Sequence, residues 1–292
     1  MKKSFIQLHI AVFLAGFTGI LGRLITLNEG LLVWYRLLIS SITLWIIFFL
    51  RRKSARIPAK DILKISGVGV IAALHWVSFY GCIKVANVSI ALVCFSAIGF
   101  FTALIEPLVF RVRPDKGELF LGALVMLGIY FIFHFDPHYQ TGIAIGLIAA
   151  LLGSIFPILS RKLLQRVSFQ AVTLYELTGG LISLTILLPF YLRVFPTSYL
   201  FPGLWDWIWL LVLSWLCTVV AMNLSMSALR KISAFTVNLT YNLEPIYGIA
   251  LAFAVFREDK YFGSGFYAGF AIILLAIGLQ MLRIVRQSRQ AI

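Results

Sequence analysis

The chain has 292 residues, 61% of them apolar and only 12% charged, with a mean hydropathy of +0.97. Soluble domains run near half apolar and a quarter charged, so this composition excludes a soluble globular protein. The net charge of +14 does not indicate a nucleic-acid partner, because the basic residues fall in short clusters between apolar runs, where they report topology.

A helix crosses the hydrocarbon layer with about 20 mostly apolar residues. Ten such runs follow one another, at roughly 5–25, 31–50, 62–82, 88–110, 118–135, 142–160, 170–190, 205–228, 233–256 and 263–283. Continuous Leu, Ile, Phe and Ala runs of this length are helices, since a backbone amide in lipid must bond within its own segment. The expected fold class is an all-α integral membrane protein with ten transmembrane helices. Met1-Lys2-Lys3 gives a basic start, but the run after it is long and lacks a small-residue cleavage site, so it reads as the first span. Cys82, Cys94 and Cys217 lie inside apolar runs without metal-ligand spacing, and His9, His134 and His138 stand at or beyond span ends. Neither a metal nor a cofactor is expected.

Basic residues set the orientation. With the N-terminus in the cytoplasm, 19 of the 25 lysines and arginines fall on the cytoplasmic side, the excess that marks that face. Both termini are then cytoplasmic, in agreement with an even number of spans. Trp205, Trp207 and Trp209 open the eighth run at its outer end, where indole rings sit at headgroup level. No loop is long enough for a nucleotide-binding domain, and no glycine-rich phosphate motif follows a strand. An ATPase is excluded, and an enzyme is not expected.

The sequence partly repeats itself. A shift of 147 lays Lys84 over Lys231 and Gly122 over Gly269, and a shift near 138 lays Gly16–Arg23 over Ser154–Arg161. Two halves of five spans, 1–137 and 138–292, would enter the membrane in opposite senses, and inverted repeats of this kind hold a binding site at their interface. The length, the ten-run plan, the Arg36 region, Ala73-Leu74-His75-Trp76, Ala97–Arg113 and Asn238–Glu258 together resemble the EamA family of the drug/metabolite transporter superfamily. That resemblance implies two homologous EamA repeats in a bacterial inner-membrane carrier, an exporter or importer of amino acids and related metabolites, with some members driven by protons.

The polar residues inside apolar runs are the candidate site, because a charge in lipid must face protein or a water-filled path. In the ninth run, Asn238 and Asn242 share a helical face, as do Tyr241 and Glu244. Pro245 frees the carbonyl of Tyr241. Glu244 could carry a proton, pair with a substrate ammonium, or tie helices together. In the third run His75, Trp76 and Tyr80 offer the rings and polar tips of a small-molecule pocket. Arg36 either snorkels to the outer interface or faces the cavity to recognise a carboxylate. Glu106, near Arg111, Arg113 and Lys116, is either a gate or an inner-end ion pair, and Glu176 is similarly ambiguous between gating and structural use. Gly16, Gly19 and Gly22 form a strip for close helix contact, as Gly142, Gly146 and Gly153 do in the sixth run.

The expected function is a secondary transporter of a small metabolite such as an amino acid, working by alternating access as a monomer. The resemblance favours export, and proton coupling is left open. The alternative is an uncoupled facilitator or channel-like uniporter for small polar solutes. The expected partners are the metabolite, protons and membrane lipid, with no nucleic acid.

Overall fold

The computed structural model describes residues 2–50, 57–221, 224, 240–241 and 243–290, and among them every regular element is helical. The helices are α1 (Lys2–Leu24), α2 (Glu29–Leu50), α3 (Ala59–Val85), α4 (Val88–Phe95), α5 (Ile98–Phe110), α6 (Lys116–Phe135), α7 (Gln140–Leu164), α8 (Phe169–Val194), α9 (Leu204–Ser214), α10 (Glu244–Phe256) and α11 (Ser264–Gln290). Helix α9 continues into a π-helical turn, Trp215–Val220. With α4 and α5 taken together, eight of the ten expected runs are helices long and apolar enough to cross a membrane. The other two, Leu204–Val220 and Glu244–Phe256, are apolar but shorter within the described residues. Large side chains such as Phe49, Leu108, Phe201 and Leu204 stand exposed on the outside of the bundle. A soluble surface rarely carries so much contiguous apolar area; hydrocarbon accommodates it.

Polar side chains set several boundaries. Asn87 starts α4 by accepting the Ile90 amide at 2.8 Å, and Asp115 starts α6 by accepting the Gly117 amide at 2.8 Å, each meeting a donor that the first helical turn leaves open. The expected fourth span is interrupted at Ser96–Ala97, between α4 and α5. Helices α5 and α10 end alike: Val109-Phe110-Arg111 and Val255-Phe256-Arg257 each close on an arginine in the left-handed region, with φ 56°. That conformation is uncommon outside glycine, so the shared ending ties the two halves together more specifically than the loose sequence offsets do.

Packing follows the same correspondence. Helix α1 packs on α10 as α7 packs on α5, α3 on α8 as α9 on α2, and α3 on α7 as α9 on α1. The contacts α2–α8 and α6–α11 are carried onto themselves by this exchange. Close approach needs missing side chains at two of these interfaces. A Cβ on Gly16 of α1 would lie 3.0 Å from the Glu244 carbonyl oxygen of α10, and one on Gly128 of α6 would lie 2.6 Å from the Gly269 carbonyl oxygen of α11. The strip expected on α1 serves three separate neighbours: Gly16 meets α10, Gly19 meets Val88, and Gly22 makes room for the Tyr80 ring.

Candidate functional site

Arg36 lies about two turns into α2 and is only 5% exposed, so it faces the bundle interior and does not snorkel. Its Nη1 donates to the Tyr80 hydroxyl at 2.9 Å, and its Nε donates to Thr218 Oγ1 at 3.2 Å. The guanidinium carbon stands 4.4 Å from the centroid of the Trp76 ring, a cation–π geometry whose value grows when water is excluded. Tyr80 and Trp76 come from α3 in the first half, and Thr218 comes from the π turn in the second. The halves therefore meet at this cation.

The π turn explains why Thr218 is available. A π turn holds an extra residue, and such turns recur at functional sites. Here Thr218 Oγ1 donates to the Leu213 carbonyl at 3.0 Å, which leaves its lone pairs to accept from Arg36. Ser214, at the end of α9, donates to the Arg36 carbonyl at 3.4 Å. Among the described residues, both side chains that accept from the guanidinium are neutral hydroxyls.

Glu244, the first residue of α10, is in electrostatic reach of Arg36 and of Tyr80. Among the described residues the ion pairs within 4.0 Å are Arg23–Glu258, Arg161–Glu106 and Arg283–Asp115. The charged groups of Arg36 and Glu244 are thus more than 4.0 Å apart. Pro245 follows Glu244 at the start of α10, where its missing amide removes no helix bond.

His75 sits beside this group but is anchored elsewhere. Its Nδ1 is 2.7 Å from the Ala149 carbonyl oxygen on α7; a carbonyl only accepts, so Nδ1 carries the proton. Gly153 lets the ring approach α7, because a Cβ there would lie 2.9 Å from His75 Cε1. Phe79, Phe95 and Phe156 surround the imidazole with ring centroids 5.6–6.2 Å away.

Three other candidates have contacts of their own. Glu106 pairs with Arg161 of α7, so its partner is neither Arg111 nor Arg113. Glu176 accepts from the Ser160 hydroxyl at 3.1 Å, and its carbonyl lies against Gly69 of α3. Tyr241 packs against Leu8 and Val12 of α1. Asn238 and Asn242 lie outside the described residues. Sequence reasoning missed Thr218, and it missed Arg23 and Glu258. The Val-Phe-Arg triplets at 109–111 and 255–257 were the available signal for the last of these.

Residues 2–134 and 140–282 each match the EamA-like transporter family. No curated protein matches the chain. A solved crystal structure, titled only as that of a protein, is 15% identical and aligns at a TM-score of 0.64 over 98% of this chain and 99% of its own. That likeness concerns the fold. With the family's domain matched twice and eight helices of spanning length, the chain is a multi-pass membrane protein belonging to the EamA-like transporter family.

Proposed function

We propose that the chain is a secondary transporter that moves a small zwitterionic metabolite such as an amino acid, outward across a bacterial inner membrane, by alternating access. In this reading ten spans form two inverted five-helix halves with both termini in the cytoplasm, and a single chain is the working unit. The observation that carries it is Arg36: a desolvated guanidinium at the junction of the halves, held by Tyr80, Thr218 and Trp76, with Glu244 opposite but out of contact. A solute carboxylate takes the remaining guanidinium donors. Its ammonium lies toward Glu244, and its side chain lies against Trp76. The gap between two opposite charges that do not touch each other suits a zwitterion, which satisfies both at once. Asn238, Tyr241 and Asn242 flank Glu244 in sequence and complete the polar face of the ninth span.

Glu244 is also the proton carrier in this reading, since an intramembrane acid with no ion-pair partner among the described residues can exchange its proton for the solute's ammonium. The test uses purified protein in liposomes with an imposed pH gradient, with solute flux and internal pH measured together. Wild type should accumulate amino acid against its gradient. Glu244→Gln, which keeps the shape but not the acid, should still exchange solute while losing gradient-driven accumulation. Intact coupled flux in Glu244→Gln removes the coupling role. Saturable flux without proton movement in wild type moves the protein to the uncoupled facilitator class. Cysteine labelling at Ala59 from the cytoplasm and at His138 from outside checks the orientation, and reversed labelling overturns it.

A further inference from the structure

Two arginines occupy corresponding places in the halves and make corresponding contacts. Arg23 is in the last turn of α1, and Arg161 is in the last turn of α7. Arg23 lies over the Phe256 ring, 4.5 Å from its centroid, and pairs with Glu258. Arg161 lies over the Phe110 ring, 5.1 Å from its centroid, and pairs with Glu106. Phe110 and Phe256 are the equivalent residues that precede the left-handed Arg111 and Arg257. Each arginine therefore crosses to the opposite half and meets the same structural position there. The glutamates break the correspondence, one lying after the phenylalanine and the other before it.

The two ends are unequal. Glu258 is fully buried, and besides Arg23 it accepts from the Val88 amide at 3.1 Å, the Ser89 amide at 2.8 Å and the Ser89 hydroxyl at 2.6 Å. These are the first residues of α4, where open amides favour an anion. The neighbouring turn is fastened too: Thr26 donates through its amide to Asp206 at 2.7 Å and through its hydroxyl at 2.9 Å, and Lys84 donates to the Ile25 carbonyl at 2.9 Å. At the other end the side chains of Arg161 and Glu106 are 67% and 31% exposed.

Resting on the alternating-access reading, we propose that Arg23–Phe256–Glu258 and Arg161–Phe110–Glu106 are the outer and inner gates of the carrier, and that the deeper burial of the outer gate makes the inward-open state the resting one. Both gates join one half to the other, so the rocking of the halves must open a gate at each step. The exposed gate opens at smaller cost, because its charges are already partly solvated, whereas separating Arg23 from Glu258 strands a buried carboxylate.

The test places a reporter at each end in protein whose three cysteines are replaced by alanine. Leu27→Cys lies in the fastened turn, and Ile158→Cys lies one turn before Arg161; both parent side chains are buried. Labelling by a membrane-impermeant maleimide is followed from outside in cells and from the cytoplasmic side in inverted vesicles. In the parent the inner reporter should label faster. Glu258→Gln should raise outer labelling and lower inner labelling by roughly fivefold or more, the size of a modest two-state coupling, and Glu106→Gln should do the reverse. Should Glu258→Gln lose its folded yield, Phe256→Leu removes the ring alone and should shift labelling in the same direction. Opposite shifts from the two variants support the gates. Labelling that rises at both ends, or at neither, overturns them, because a purely structural contact has no reason to favour one end. Solute flux is measured on the same preparations. Opposite shifts without any flux in wild type leave the gates standing and remove the transport reading, while flux with unshifted labelling does the converse.

Discussion

Arg36 and the gate arginines meet their charge in different ways. Arg23 and Arg161 each contact a glutamate and a phenylalanine ring, whereas among the described residues Arg36 contacts two hydroxyls and an indole, with no acid within 4.0 Å. Taking a cation out of water costs several kcal/mol unless a partner offsets it. The gate arginines carry that partner within the protein. Among the described residues Arg36 has no acid in contact, which is costly for a structural residue but fits a group whose last partner arrives with the solute.

Replacing Arg36 should break this contrast most severely. Arg36→Gln should weaken binding of a carboxylate solute by roughly thirtyfold or more, about 2 kcal/mol, while the melting temperature holds or rises because a buried charge has gone. Binding by calorimetry and melting in the same detergent decide the matter. A lowered melting temperature with unchanged affinity would place Arg36 among the structural arginines.

The difference between the gates themselves has a stability signature. Glu258→Gln should cost about 2 kcal/mol, since it uncouples a buried carboxylate from Arg23 and weakens the bonds to Ser89. Glu106→Gln should cost about 1 kcal/mol or less, as exposed pairs do. Equal losses in thermal unfolding would erase the asymmetry on which the resting state depends.

The smallest effect belongs to an ion pair that joins the two halves outside the apolar core. Arg283 donates to both oxygens of Asp115, at 2.6 and 2.5 Å, and this hydrogen bonding holds the Asp115 carboxyl below the usual carboxylate range. A lowered value in the folded state means that the stabilisation is complete above the ordinary carboxylate range and is lost as pH falls through the folded value. Asp115→Asn should therefore cost less than about 1 kcal/mol at neutral pH, with the gap from wild type closing in acid. A gap that stays constant with pH would show that the helix cap, and not the charge, is what Asp115 supplies.

Apolar run length made the helices legible, because lipid demands long uninterrupted segments and the chain writes them out. The break at Ser96–Ala97 left no trace, since both residues are ordinary in helices. Site residues were legible wherever a polar group interrupts an apolar run, as at Arg36, His75 and Glu244. Which residues pair with which was not. Glu106 stands 55 residues from Arg161, and Thr26 stands 180 from Asp206, so no local spacing connects them. Thr218 was hidden for a different reason: a hydroxyl on an apolar helix is commonplace until the backbone turns it toward a guanidinium.

That turning depends on chain count. Each residue advances an α-helix by about 100°, and the turn Trp215–Val220 accommodates one residue more than a regular turn does. Deleting Leu216 or Cys217 would let α9 run on as an unbroken α-helix, and Thr218 would then stand where a regular backbone places it and not where the widened turn aims it at Arg36. The shortened chain would gain a more regular helix and lose half of the hydrogen-bonded cradle around its central cation. Sturdiness and recognition are set against each other here by a single surplus residue.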